Sequence, residues 1–274
     1  IIHNFSPDID GYDFLDKQEY ATRAASEIIK ISFNYKPSIL HSASDHSIGS
    51  ATSMAAKKLG IPFVYEMRGL WALSRVANNS EFIRDPKFNL LMNMEKHTAL
   101  SADAVVVISH QFKNEILNWG VKEEKISILP NCVDINDFIP ENVDLKLKNK
   151  LNISTELVLG YIGSIVNYEG LDLLIDTVAE LKKIDDMSLK IIIIGEGAEK
   201  LRLQNKVNNM GLSNEVIFLG RIEHIEIKKY YSIIDCIVLP RRSEKVCQIV
   251  PSLKPLEAMA VSYTHLTLPT KRIV

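Results

Sequence analysis

The chain has 274 residues, of which 46% are hydrophobic and 24% charged, which is an ordinary globular composition long enough for about two domains. Its formal charge is −2 with a pI near 6.4, so no global basic field favours nucleic acid, and no run approaches the ~18 apolar residues of a membrane span. Three cysteines at irregular spacing (Cys132, Cys236, Cys247) exclude a disulfide framework or a zinc site and fit a reducing compartment.

Elements are read from residue 38 onward. Ser38–His41 is a short strand, followed by a helix through Ser50–Leu59 that ends at Gly60, and by a strand Ile61–Glu66. A helix is predicted over Pro86–Ser101. The strand Ala104–Ile108 runs into Ser109, which can cap a helix His110–Asn118, and Lys125–Leu129 is a further strand. From Pro130 to about Asn152 the chain is polar and lacks apolar periodicity, so the domain boundary falls there, with residues 1–140 and 141–260 as the two domains. The alternation then restarts: strand Leu157–Ile162, helix Leu171–Lys182, strand Leu189–Ile194, helix Ala198–Met210, strand Val216–Leu219, helix Ile225–Ile233, strand Asp235–Leu239 and a helix ending at Ala260. Strand–helix alternation at this spacing predicts an α/β fold of two Rossmann-like domains with parallel sheets facing a cleft, and directs attention to loops at the carboxyl ends of strands.

The ends read differently. The chain opens on Ile1-Ile2-His3 with no initiator Met and no signal-peptide pattern, and is expected to begin inside a longer protein. Val261–Thr270 alternates like a strand but places Thr and His where a core strand wants Val and Ile. It also reads as the translation of a transposon adapter used in sequencing-library preparation, so residues 261–274 are expected to be foreign. Without Lys271 and Arg272 the chain has 30 basic and 34 acidic residues.

Three strand-end motifs are candidates for chemistry. Gly160-Tyr161-Ile162-Gly163-Ser164, with Glu169-Gly170 before a helix, lets backbone approach a bulky anion at a helix N-terminus, although a plain tight turn has the same pattern. It lacks the spacing of dinucleotide enzymes. Gly195-Glu196-Gly197 sets a carboxylate between glycines, either for a ligand or only to complement a helix dipole. Leu239-Pro240-Arg241-Arg242-Ser243-Glu244 followed by Leu253-Lys254-Pro255-Leu256-Glu257-Ala258 places two guanidinium groups after a buried strand, suited to a diphosphate, and a carboxylate suited to ribose or sugar hydroxyls. The alternative there is a solvated loop with a helix-start glutamate. In the first half, His41 and His46 flank one strand-end loop while Glu66 and Arg68 end the next strand, an arrangement that can build an acceptor pocket; Trp71 would stack on a sugar or fill a core.

Across residues 35–260 the chain resembles the retaining glycosyltransferase family 4 with its GT-B fold. The resemblance is carried in order by SILHSASD, VVVISHQFKNEIL, ISILPNCVD, LGYIGSIVNYEGLDLLIDTVAEL, IIIIGEGAEKLRLQ, VIFLGRIEH, DCIVLPRR and LKPLEAMA. It implies transfer of a sugar from a UDP- or GDP-sugar to a glycan or lipid-linked acceptor with retention, in cell-surface polysaccharide biosynthesis. It implies no metal or other cofactor, and a cytoplasmic protein whose only membrane contact would be peripheral, at the inner face. Gly163 and Ser164 would lie against the donor diphosphate, Arg241 or Arg242 would neutralise it, Glu257 would bind ribose and Arg221 would lie near the base, with Glu196 and Lys254 completing the donor set. His41 would sit on the acceptor side. The family glutamate eight residues before Glu257 is replaced by Ile249, leaving Gln248 or Glu244 for the sugar contact; His41, Gln248 and Glu257 are thus the catalytic candidates. Many members carry Lys where this chain has Glu169, and Cys132 stands for a turn glycine. Two rivals are a nucleotide-sugar epimerase of the same fold and a binding protein without turnover. The fragment by itself is expected to be inactive.

Overall fold

A computed structural model describes residues 14–137, 139–154, 156–184, 188–261 and 266–267, with backbone alone at 14–18, 184 and 266–267. The expected adapter segment therefore lies outside the described residues except at Val261, Leu266 and Thr267, as does the start of the chain. Two compact units emerge: Ile1–Asn131 with Gln248–Pro251, and Cys132–Cys247 with Ser252–Val274.

The first unit contains α1 (Phe14–Tyr35), β1 (Leu40–Ala43), α2 (His46–Leu59), β2 (Phe63–Met67), α3 (Trp71–Asn78), α4 (Pro86–Ser101), β3 (Ala104–Val107), α5 (His110–Asn118) and β4 (Ile126–Ile128). Its strands form one parallel sheet in the order β1-β2-β3-β4. Three helix starts carry side-chain caps, Asp45 on Ser47 N–H, Asp85 on Lys87 N–H and Ser109 on Phe112 N–H, each satisfying a donor the helix leaves orphaned. The helix α1 was not anticipated from the sequence. Its inner face is alanine (Ala21, Ala24, Ala25), which packs with Ala51 and Ala55 of α2. Methyl groups let two helices approach closely but give little apolar contrast for a periodicity reading.

The second unit contains α6 (Leu145–Lys150), β5 (Leu157–Ile162), α7 (Leu171–Ile184), β6 (Leu189–Ile194), α8 (Lys200–Asn209), β7 (Val216–Gly220), α9 (Ile227–Tyr231), β8 (Cys236–Val238), the start of α10 (Lys245–Ile249, whose last two residues group with the first unit), α11 (Lys254–Ala260) and β9 (Leu266–Thr267). The sheet order is β7-β6-β5-β8-β9, all parallel. The run Ile191–Ile194 is buried on both faces, as a central parallel strand covered by helices must be. The predicted helix Ile225–Ile233 is a short 3₁₀ turn at His224–Glu226 leading into α9, and α6 and α10 lie where the sequence reads as loop. Leu266 and Thr267 pair with Ile237 and Val238 of β8. Both units are thus parallel sheets with helices between the strands, and the order β7-β6-β5-β8-β9 is that of a doubly wound Rossmann-like sheet.

Candidate functional site

In the second unit the ends of β5, β6 and β7 are stitched together by backbone hydrogen bonds. Gly163 N–H donates to Ile194 O at 2.9 Å, Gly195 N–H to Gly220 O at 2.8 Å, and Ile165 N–H to Glu196 O at 2.9 Å. The loops meet so closely that a Cβ on Gly195 would lie 1.9 Å from Gly163 O, and one on Gly197 would lie 2.1 Å from Ile165 O. The glycines of Gly195-Glu196-Gly197 are thereby explained by loop-on-loop packing. Glu196 itself pairs with Lys200, four residues on, at 2.6 Å.

Beside these loops lies a pocket of about 860 Å³, walled by Ile162, Gly163, Ser164, Arg221, Lys254 and Glu257, with Ile222, Glu223, His224 and Ile227 beyond. Five residues expected for the donor thus meet at one concavity. Arg221 follows the end of β7 and stands exposed at the wall. Glu257 sits in the first turn of α11, where Pro255 occupies the helix start, and the Tyr231 hydroxyl is 3.5 Å from its Oε2.

Two arginines behave unlike the sequence expectation. Arg242 is committed to the scaffold: its guanidinium binds Asp172 in the first turn of α7, its Nε donates to Asn167 O at 3.2 Å, and its N–H donates to Tyr168 O at 2.9 Å. It is therefore removed from the donor cations. Arg241 packs over the Tyr168 ring and places its Nε 3.4 Å from Glu169 Oε1. Glu169, named in the sequence as part of the first strand-end motif and as a departure from the family pattern, is buried and also lies 3.1 Å from Lys254 Nζ through its other oxygen. Lys254 lies over the Tyr161 ring, its stem crossing Gly163 so closely that a Cβ there would come within 2.1 Å of Lys254 Cε. Burial pushes the Lys254 ammonium below the ordinary lysine value, with Glu169 pulling the other way. Burial raises the Tyr161 phenol, and the Glu169 charge adds to it. Sequence reasoning missed Glu169, Tyr161, Tyr168 and Asp172 as the partners that hold Lys254, Arg241 and Arg242; the only available signal was a charged residue before a helix glycine.

In the first unit, His41 Nε2 lies 3.0 Å from Glu66 Oε2, and Arg68 Nε donates to Glu66 Oε1 at 2.7 Å. The Arg68 hydrogen bond holds the Glu66 carboxyl below the usual carboxylate range, against a smaller upward effect of burial. Trp71 is 61% exposed, which disposes of a core-filling role. His46 is buried, with Nδ1 3.2 Å from Glu95 Oε1, while Tyr65 donates to Glu95 Oε2 at 2.6 Å, so His46 serves the interior and leaves the acceptor candidates. Ile249, standing where the family glutamate was expected, is buried and accepts a hydrogen bond from Ser109 Oγ at 2.7 Å through its carbonyl. Gln248 is exposed on α10 and groups with the first unit. Among the described residues no three His, Cys, Asp or Glu side chains gather as a metal-binding set, and no helix is long and apolar enough to cross a membrane.

The two halves match separate family models. Residues 7–137 match the Glycosyltransferase Family 4 model, and residues 143–269 match Glycosyl transferases group 1, a span that runs past Val261. The chain is 24% identical over 247 residues to the alpha-monoglucosyldiacylglycerol synthase of Streptococcus pneumoniae, covering 87% of this chain and 54% of that protein. It is also 24% identical over 236 residues to the GDP-mannose-dependent alpha-mannosyltransferase of Mycolicibacterium smegmatis, covering 82% and 54%. The chain thus spans about half the length of these curated relatives. Among solved structures, it matches the sucrose-phosphate synthase of Thermosynechococcus elongatus with a TM-score of 0.73 and 20% identity, over 92% of this chain and 61% of that one. It matches Anabaena HepE in complex with UDP with a TM-score of 0.67 and 19% identity, over 86% and 60%. At these identities the likeness establishes the GT-B fold.

Proposed function

We propose, from the premise that both units are glycosyltransferase domains of the GT-B fold, that the protein moves a sugar from a UDP- or GDP-sugar to a glycan or lipid-linked acceptor with retention of anomeric configuration. The observation that carries this reading is the gathering of Gly163, Ser164, Arg221, Lys254 and Glu257 around one pocket at the carboxyl ends of β5 and β7. The diphosphate would lie against Gly163 and Ser164 with the Lys254 ammonium beside it, while Glu257 accepts ribose hydroxyl protons and Arg221 lies toward the base. Charge appearing on the leaving diphosphate would be met by preorganised cations, so no metal is invoked. The names of two relatives, one GDP-mannose-dependent and one bound to UDP, support a nucleotide-sugar donor. His41, oriented by Glu66, is assigned to the acceptor side. A cytoplasmic site at the inner face of the membrane and a part in cell-surface polysaccharide assembly complete the proposal.

The test uses the full-length protein. Calorimetry is expected to detect UDP or GDP binding, and labelled UDP- and GDP-sugars are expected to give product only with an acceptor, equally in EDTA, with the donor anomer kept by proton NMR. Epimerised donor in the absence of acceptor, or no turnover with any acceptor class, would sink the reading.

A further inference from the structure

Glu169 is a buried carboxylate shared by two cations, Arg241 Nε at 3.4 Å and Lys254 Nζ at 3.1 Å, with only 5% of its side chain exposed. One negative and two positive groups leave the cluster a net charge of +1. Buried ions persist only when paired, so each member depends on the others. The rings of Tyr161 and Tyr168 lie under the two cations, at 5.2 Å from Lys254 Nζ and 5.8 Å from Arg241 Cζ, which narrows where the heads can go. Of the three ions, Lys254 is the one that also walls the pocket, its stem lying across Gly163. The ammonium is therefore held between a carboxylate behind it and the open pocket in front.

We infer that Glu169 is the positioning residue of the donor site: it fixes Lys254 Nζ as a charged ammonium beside Gly163, so that the pocket selects a ligand bearing a diphosphate. This rests on the nucleotide-sugar reading above. Glu169 is absent from the pocket wall and acts through Lys254. The groups that face Lys254 are Glu169 and Glu257, which favour its charged form, Arg241, which with burial opposes it, and the Tyr161 ring. Glu169→Gln keeps the shape and removes the charge. Burial and Arg241 are then opposed by Glu257 alone, and Lys254 gives up its proton at a lower pH.

The experiment measures the affinity of the full-length protein for UDP and GDP from pH 6.5 to 8.5, below the ionisation of the bases, with uridine and guanosine as uncharged probes. E169Q is expected to match wild type near pH 6.5 and to lose diphosphate affinity at a lower pH than wild type does, with nucleoside binding unchanged. Lys254→Arg, whose guanidinium does not titrate in this range, is expected to abolish the alkaline fall and serves as the reading should E169Q not fold. An alkaline limb unchanged in both variants, or a loss in E169Q that is equal at every pH and extends to the nucleosides, overturns the positioning role. Wild-type protein that is folded by circular dichroism yet binds neither diphosphate overturns the donor reading itself, a separate result.

Discussion

Arg242 is bound to Asp172 across the loop that connects β8 to α10, tying that loop to the first turn of α7. Arg242 also donates to the Asn167 carbonyl through Nε, so two of its guanidinium nitrogens are engaged by the scaffold. The pair is partly exposed, at 30% and 17% for the two side chains, and its strength is screened accordingly. Arg242→Ala should therefore cost about 1–2 kcal/mol in urea unfolding while changing UDP or GDP affinity by less than about three-fold. A large affinity loss without a stability loss would return Arg242 to the donor cations.

Glu257 presents its carboxylate at the pocket wall from the first turn of α11, with the Tyr231 hydroxyl as its neighbour. A charged hydrogen bond to ribose is worth about 1.5–3 kcal/mol, so Glu257→Ala should weaken UDP and GDP binding by roughly ten-fold or more. Calorimetry with the free bases alongside isolates the ribose contribution, because uracil and guanine should bind both proteins alike. Equal nucleotide affinity in the variant would remove Glu257 from the donor site.

Much of the architecture was legible because parallel strands buried on both faces read as short apolar runs between helices. Pro86–Ser101, His110–Asn118, Leu157–Ile162 and Leu189–Ile194 fall where the pattern put them. The alanine-faced α1 escaped because its buried apolar residues are alanines, with the larger Tyr20, Ile28 and Ile29 only partly buried beside them. Within the candidate site, residues at strand ends were legible as a set. What the sequence could not reveal was which cation faces the pocket. Arg241, Arg242 and Lys254 are alike as letters, and only the positions of Glu169 and Asp172 divide them into a buried pair, a scaffold tie and a pocket wall.

Gly195 follows β6 at φ +141°, a conformation that side chains rarely adopt, and a Cβ there would lie 1.9 Å from the Gly163 carbonyl oxygen. Backbone cannot retreat as a flexible side chain can, so Gly195→Ala should destabilise the second unit by about 3 kcal/mol or more. Gly60→Ala is the control: its φ is also positive, at +69°, but nothing lies within 4 Å of the added carbon, and about 1 kcal/mol is expected. Chemical denaturation of both variants checks the ordering.

The Glu66 carboxyl makes the acid side of the stability profile informative. Its ordinary value is 4.5, and in the fold it is lowered, chiefly by the hydrogen bond from Arg68 and to a lesser degree by His41, against some burial. Between the folded and unfolded values, the unfolded chain binds the proton that the native state leaves off, so stability rises with pH across that window. The contribution is complete above about pH 4.5 and is lost as the pH falls through the lower folded value. Glu66→Gln should flatten that part of the profile in urea unfolding between pH 3 and 6, and Arg68→Ala should flatten it more than His41→Ala does. Catalysis should rank the same residues the other way. If His41 serves the acceptor as a proton-transfer group, His41→Ala should lower turnover by about a hundred-fold with nucleotide affinity unchanged, because that role is exerted in the transition state. Arg68→Ala, which leaves the His41–Glu66 contact in place, should lower turnover far less. Equal turnover losses in the two variants would mean that His41, Glu66 and Arg68 serve only the local structure.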